Sequence, residues 1–118
     1  MADPPLVKIC GLQRREDILL ADELGADFLG FVLSSGFSRT VRLLEARALV
    51  EGVRSPKVAV LVDENLENSI SAAEEIGAAV VQLHGDEPTA VIQEIRRRGD
   101  WLIWKGIRAR SMDDIRRV

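Results

Sequence analysis

Residues 75–83 read Glu75-Ile76-Gly77-Ala78-Ala79-Val80-Val81-Gln82-Leu83, and this stretch sets the fold class. It joins a helix end, a glycine able to take the left-handed conformation that closes a helix, a small linker and a short apolar strand. Residues 23–32 repeat the arrangement, as Glu23-Leu24-Gly25-Ala26-Asp27 and then Phe28-Leu29-Gly30-Phe31-Val32. A helix stop followed at once by a buried strand, occurring twice, is the mark of βα units joined by short loops.

Outward from these junctions the same rhythm continues. Leu6-Val7-Lys8-Ile9-Cys10 forms an opening strand ended by Gly11, and Ile18, Leu19 and Leu24 place a helix over about residues 15–24. Glu16 and Asp17 suit the positive end of its dipole. A helix over about 44–53 leads through Ser55-Pro56 to a strand at 58–62. One over about 66–76 leads through Gly77 to a strand at 80–83, and one over about 89–98 closes on Gly99 before a strand at 101–105. A last helix begins near Met112. The chain is therefore expected to be one α/β unit over residues 1–118, built of parallel βα repeats. Periodicity leaves strand order open between a doubly wound sheet and an arc of a barrel.

Strand alternation puts residues of equal parity on one face. Lys8 and Cys10 share a face of the first strand, Gln82 and His84 share one on the fourth, and Lys105 brings a charge to the fifth. Parallel strands covered by helices on both sides normally read as unbroken apolar runs. A polar face of Lys8, Cys10, Gln82, His84 and Lys105 needs another destination, and a barrel lumen opening at the strands' carboxyl ends supplies it. Taken singly, each residue has a plainer role: Cys10 as packing, His84 as a local hydrogen-bonding group, Arg39 as a solvated charge, Asp63 as the cap of the next helix. Their gathering at successive strand ends, where α/β ligand sites lie, is what points to a site.

Composition bounds the partners. A chain of 118 residues with 47% hydrophobic content can bury a core, and a net charge of −3 offers no electrostatic attraction for nucleic acid or an anionic membrane. Arg96-Arg97-Arg98 and Arg116-Arg117 read as solvated helix faces. The single cysteine forms no internal disulfide. No apolar run approaches the roughly 20 residues that span a bilayer, and Pro4-Pro5 without an apolar run does not read as a secretory signal. A cytoplasmic location is expected.

Lys8-Ile9-Cys10-Gly11-Leu12 resembles the opening motif of phosphoribosylanthranilate isomerases. Leu24-Gly25-Ala26-Asp27-Phe28-Leu29-Gly30-Phe31 is similar to that family's second-strand signature. Ser38-Arg39 stands in the place of its Ser-Pro-Arg or Ser-Lys-Arg loop, without the proline or lysine. Val81-Gln82-Leu83-His84-Gly85-Asp86-Glu87 resembles its fourth-strand motif, and Lys105-Gly106-Ile107-Arg108 its fifth-strand region. The resemblance implies the first five strands of a (β/α)8 TIM barrel. It also implies a cofactor-free Amadori rearrangement of N-(5-phosphoribosyl)anthranilate in tryptophan synthesis. Cys10 would be the general base, helped by Lys8 or Lys105; Arg39 would hold the anthranilate carboxylate; Gln82 and His84 would line the pocket mouth.

The family's general acid follows strand six and its phosphate loops follow strands seven and eight, so the chain is expected to be inactive alone. Strands one and five should be open edges that favour self-association or a complementing C-terminal half-barrel. The sequence leaves two rivals: an inactive half-barrel, and a flavodoxin-like receiver module. Asp63 and Lys105 suit two of the receiver's positions, but Cys10-Gly11 stands where its acidic pair should be.

Overall fold

The strands pair in the order in which they occur in the chain. A computed structural model describes residues 3–117. It contains β1 (Lys8–Cys10), α1 (Arg15–Glu23), β2 (Phe28–Val32), α2 (Leu43–Leu49), β3 (Lys57–Leu61), α3 (Leu66–Glu75), β4 (Val80–Leu83), α4 (Thr89–Arg98), β5 (Leu102–Lys105) and α5 (Met112–Arg116). All four pairings are parallel and the sheet order is β1-β2-β3-β4-β5. Right-handed crossovers that always step in one direction leave every helix on the same face of the sheet. A flavodoxin-like sheet reverses direction, with order 2-1-3-4-5, so the receiver reading is excluded.

The two faces separate by parity, as the alternation predicts. Odd positions Leu29, Phe31, Ala59, Leu61, Val81 and Leu83 pack under the helices with Ile18, Ala21, Ala46, Ile76, Ala72, Ala73 and Ile95. Even positions Val32, Val58, Val60 and Val80 form a second cluster with Cys10, Phe28 and Trp104 on the opposite face. That face is concave. Neighbouring strands lie about 4.8 Å apart, so β2 and β5, three strands apart, would be separated by roughly 14 Å in a flat sheet. Yet the rings of Phe28 and Trp104 meet edge to face at 4.9 Å. The sheet is curled into an arc of a barrel.

Both diagnostic glycines take the conformation their position demands. Gly25 and Gly77 have φ of 83° and 60°. Gly25 N–H donates to Asp22 O and Ala26 N–H to Ala21 O, while Gly77 and Ala78 repeat the pair toward Glu74 and Ala73. Each helix thus closes with two carbonyls of its last turn engaged by the residues that follow. Gly99 differs from expectation: α4 ends there in extended backbone, with φ of −166°. A Cβ at Gly99 would lie 2.5 Å from the Trp101 ring, so the residue serves clearance rather than a left-handed stop.

Two further expectations need correction. Ile18 and Ala21 are the buried face of α1, whereas Leu19 and Leu24 are exposed. α1 packs on β2 at the first edge of the sheet, and no neighbouring helix lies on its outer side among the described residues. The cap of α3 is Asn65, whose side chain accepts from Asn68 N–H at 2.8 Å, not Asp63. Leu6 and Val7 beside β1 and Leu102 on β5 leave apolar surface exposed at both sheet edges.

Candidate active site

The first functional element is the tip of β1. Cys10 sits half-buried on the concave face, and the chain then turns at Gly11, whose φ is +82°. Only a residue without Cβ fits there: a Cβ on Gly11 would stand 2.4 Å from Nη1 of Arg39, which lies across the turn. Arg39 Nη1 donates to the carbonyl oxygen of Cys10 at 3.2 Å. The loop carrying Arg39 is held by its own short side chains. Thr40 Oγ1 donates to Ser34 O at 2.7 Å and accepts from Phe37 N–H at 3.1 Å, and buried Ser34 Oγ accepts from Val62 N–H at 2.8 Å. The guanidinium is therefore placed against β1 by a loop anchored on β3.

A polar line crosses the concave face. Lys8 Nζ donates to Gln82 Oε1, and Gln82 Nε2 meets His84 Nε2. The lysine chain passes over Gly30, where a Cβ would lie 3.0 Å from both Lys8 Cε and Cys10 Sγ. Its ammonium also stands 5.9 Å from the centre of the Trp104 ring, within cation–π range. The His84 ring occupies the space left by Gly106, to which an added Cβ would approach within 2.6 Å. Partial burial, followed by the positive charges of Lys8 and Lys105, holds the imidazole below its ordinary pKa; Glu87 opposes and Arg108 adds to the depression.

Glu87 organises the rim. Its side chain is only 3% exposed, accepts from Lys105 Nζ at 2.7 Å, and takes the backbone N–H groups of Asp63 and Gly85 at 2.9 and 3.0 Å. Asp63, at φ 50°, accepts in turn from Asp86 N–H at 2.7 Å. The loops after β3 and β4 and the end of β5 are stitched by these two carboxylates. Burial opposes the charge on Glu87, but Lys105 and the backbone donors outweigh it and hold the carboxyl below the usual glutamate value. The fourth-strand motif includes Glu87 but by itself gives it no role. The available signal was a carboxylate two residues past a strand-end glycine, where free N–H groups gather.

Cys10, Arg39 and His84 line one open concavity of about 1100 Å³ at the carboxyl ends of the strands. Gln82 lies one step below its floor, bonded to Lys8 and His84. Lys105 lines the same concavity from its rim: its register partner is Leu83, while Trp104 pairs with Gln82. Strand parity turns its stem to the helix side, and its ammonium reaches over the rim to Glu87 and Gly85 O. It is thus engaged by a carboxylate at the rim.

Comparison with known proteins agrees with this arrangement. The family model for N-(5'phosphoribosyl)anthranilate (PRA) isomerase matches residues 7–116. The N-(5'-phosphoribosyl)anthranilate isomerase of Caldanaerobacter subterraneus subsp. tengcongensis is 42% identical over 116 residues, covering 95% of this chain and 54% of the relative. The crystal structure of phosphoribosyl anthranilate isomerase from Thermus thermophilus superposes with a TM-score of 0.83 at 37% identity, over 91% of this chain and 54% of that one. A phosphoribosyl anthranilate isomerase solved in complex with reduced 1-(o-carboxyphenylamino)-1-deoxyribulose 5-phosphate has a TM-score of 0.88 at 32% identity, over 95% and 58%. The chain spans about half the length of the curated relatives it matches. A parallel βα arc with its cysteine, arginine and histidine at one mouth, matched by sequence over nearly its whole length, belongs to the N-(5'-phosphoribosyl)anthranilate isomerase family.

Proposed function

We propose that this chain carries the thiol-bearing half of an isomerase site that converts N-(5-phosphoribosyl)anthranilate into its open-chain ketose-amine, in a cytoplasmic route to tryptophan. The observation that supports it most is the grouping of Cys10, Arg39 and His84 around one concavity, in a chain of this family. Ring opening needs a proton delivered to the furanose oxygen. The resulting iminium then loses the proton on C2 to a base, giving an enolamine that tautomerises to the ketone. Cys10 is the base, because its half-buried sulfur sits at the strand tip and lines the cavity. Arg39 holds the anthranilate carboxylate, for which a planar guanidinium is well shaped. His84 lines the mouth and Gln82 supports it from below.

The proton donor and the phosphate loops belong to βα units that follow the fifth strand in the resembling enzymes. Turnover is accordingly proposed for this chain together with those units, supplied either in continuous sequence or by a complementing polypeptide docked on the open edges of β1 and β5. The test is a fluorescence assay of substrate conversion by the 118-residue chain, alone and mixed with the last three βα units of a relative. Conversion that appears only in the mixture supports the reading. A mixture that forms a stable complex on gel filtration yet converts nothing favours an inactive half-barrel instead.

A further inference from the structure

The bonding between Lys8, Gln82 and His84 has only one possible direction. An ammonium donates and never accepts, so the Gln82 atom that faces Lys8 must be its amide oxygen. The amide nitrogen, which can only donate, is then the atom turned to His84 Nε2. That ring nitrogen must accept, which requires an uncharged imidazole with its proton on Nδ1. We propose that Lys8 is a positioning residue that acts through Gln82 to fix the tautomer of His84, so that the ring presents a single N–H donor from Nδ1. The group such a site takes from a ligand is an acceptor oxygen, not a donor.

This goes beyond the isomerase reading, since it concerns the placement of one proton in the unliganded protein. The geometry is held from several sides. Lys8 comes from β1 and is kept in line by the gap at Gly30 and by the Trp104 face. Gly106 after β5 leaves room for the ring. Lys105, Arg108 and Glu87 are the charged groups that act on the imidazole from β5 and the rim loops. Arg39, Asp63 and Asp86 line the same concavity. Charges alone would shift the ring's proton affinity without choosing between its two nitrogens. The hydrogen-bonded line chooses.

The chain contains one histidine, so long-range ¹H–¹⁵N correlation spectra of the labelled protein report this ring without ambiguity. At neutral pH the parent should show Nδ1 protonated and Nε2 bare, with Nδ1–H in about tenfold excess, as a charge-assisted line of this kind supports. Lys8→Met frees Gln82 to turn its oxygen to the ring, and the excess should collapse toward parity. Lys8→Arg, which keeps the donor, should restore it. Gln82→Glu leaves only acceptors beside Nε2, and the proton should move to that nitrogen. A parent ring protonated on Nε2 overturns the proposal, as does an Nδ1–H excess that persists in folded Lys8→Met. If Lys8→Met does not fold, an unmoved tautomer in Gln82→Glu overturns it equally. No arm uses substrate, so the isomerase reading can fail while this result stands, and the reverse.

Discussion

The guanidinium of Arg39 lies across Gly11 and donates to the main-chain carbonyl of Cys10 at 3.2 Å. Two residues separated by a full βα unit are thereby set side by side, one able to bind an anion and the other able to take a proton. The spacing depends on a turn that only glycine fills.

Gly11→Ala should therefore harm both stability and binding. A left-handed backbone costs a non-glycine residue about 1–2 kcal/mol, and the added Cβ meets the Arg39 side chain. A lower urea midpoint, with weaker binding of an anthranilate-bearing ligand in calorimetry, is the expected pair of results. A midpoint equal to the parent's would remove the turn from the account.

Arg39→Ala should weaken binding of the same ligand by about tenfold or more, the scale of a hydrogen bond to a charged group at roughly 1.5–3 kcal/mol. Arg39→Lys should recover only part, because a point charge does not match the two carboxylate oxygens as a planar fork does. Identical affinity in Arg39→Ala would retire the assignment.

In the complemented protein, Cys10→Ala and Cys10→Ser should lower kcat by about 10²–10⁴-fold, the usual contribution of a positioned base. The Michaelis constant should change little, since the thiol is not asked to hold the ground state. Turnover within threefold of the parent would take Cys10 out of the mechanism.

Glu87→Gln tests the rim through pH. The folded carboxyl is held below its ordinary value. Its contribution is present above that value, about 4.3, and is lost as the pH falls through the lower folded value. At pH 7 the variant should be less stable by about 1–3 kcal/mol, as when a buried acceptor of several donors is impaired. The gap should narrow as the solution is acidified below pH ~4. A gap that is constant across that range would show that the Glu87 charge does not stabilise the loops.

Several features were legible because they are local. Gly25 and Gly77 end helices through hydrogen bonds confined to neighbouring residues, so their role can be read from a dozen positions. Lys8, Cys10, Gln82 and His84 share a face because side chains alternate along a strand. The same rules misled where a neighbour decides the outcome. Leu19 looked like core at helical spacing, but α1 lies at the end of the helix row. Gly99 looked like a left-handed stop, but the Trp101 ring claims its space. Lys105 was grouped with the concave face, yet its register with Leu83 turns it the other way.

What the chain alone determined is the alternation of strands and helices and which residues share a face, since both follow from backbone geometry over short spans. The resemblance of its motifs added the expectation of a barrel. Only the folded molecule decided that the strands pair in sequential order and curl until Phe28 reaches Trp104, that Glu87 draws Lys105 to the rim, and that Lys8 orients Gln82. These are contacts between side chains from separate βα units. Their direction depends on how hydrogen-bond donors and acceptors find one another in space, which no local period encodes.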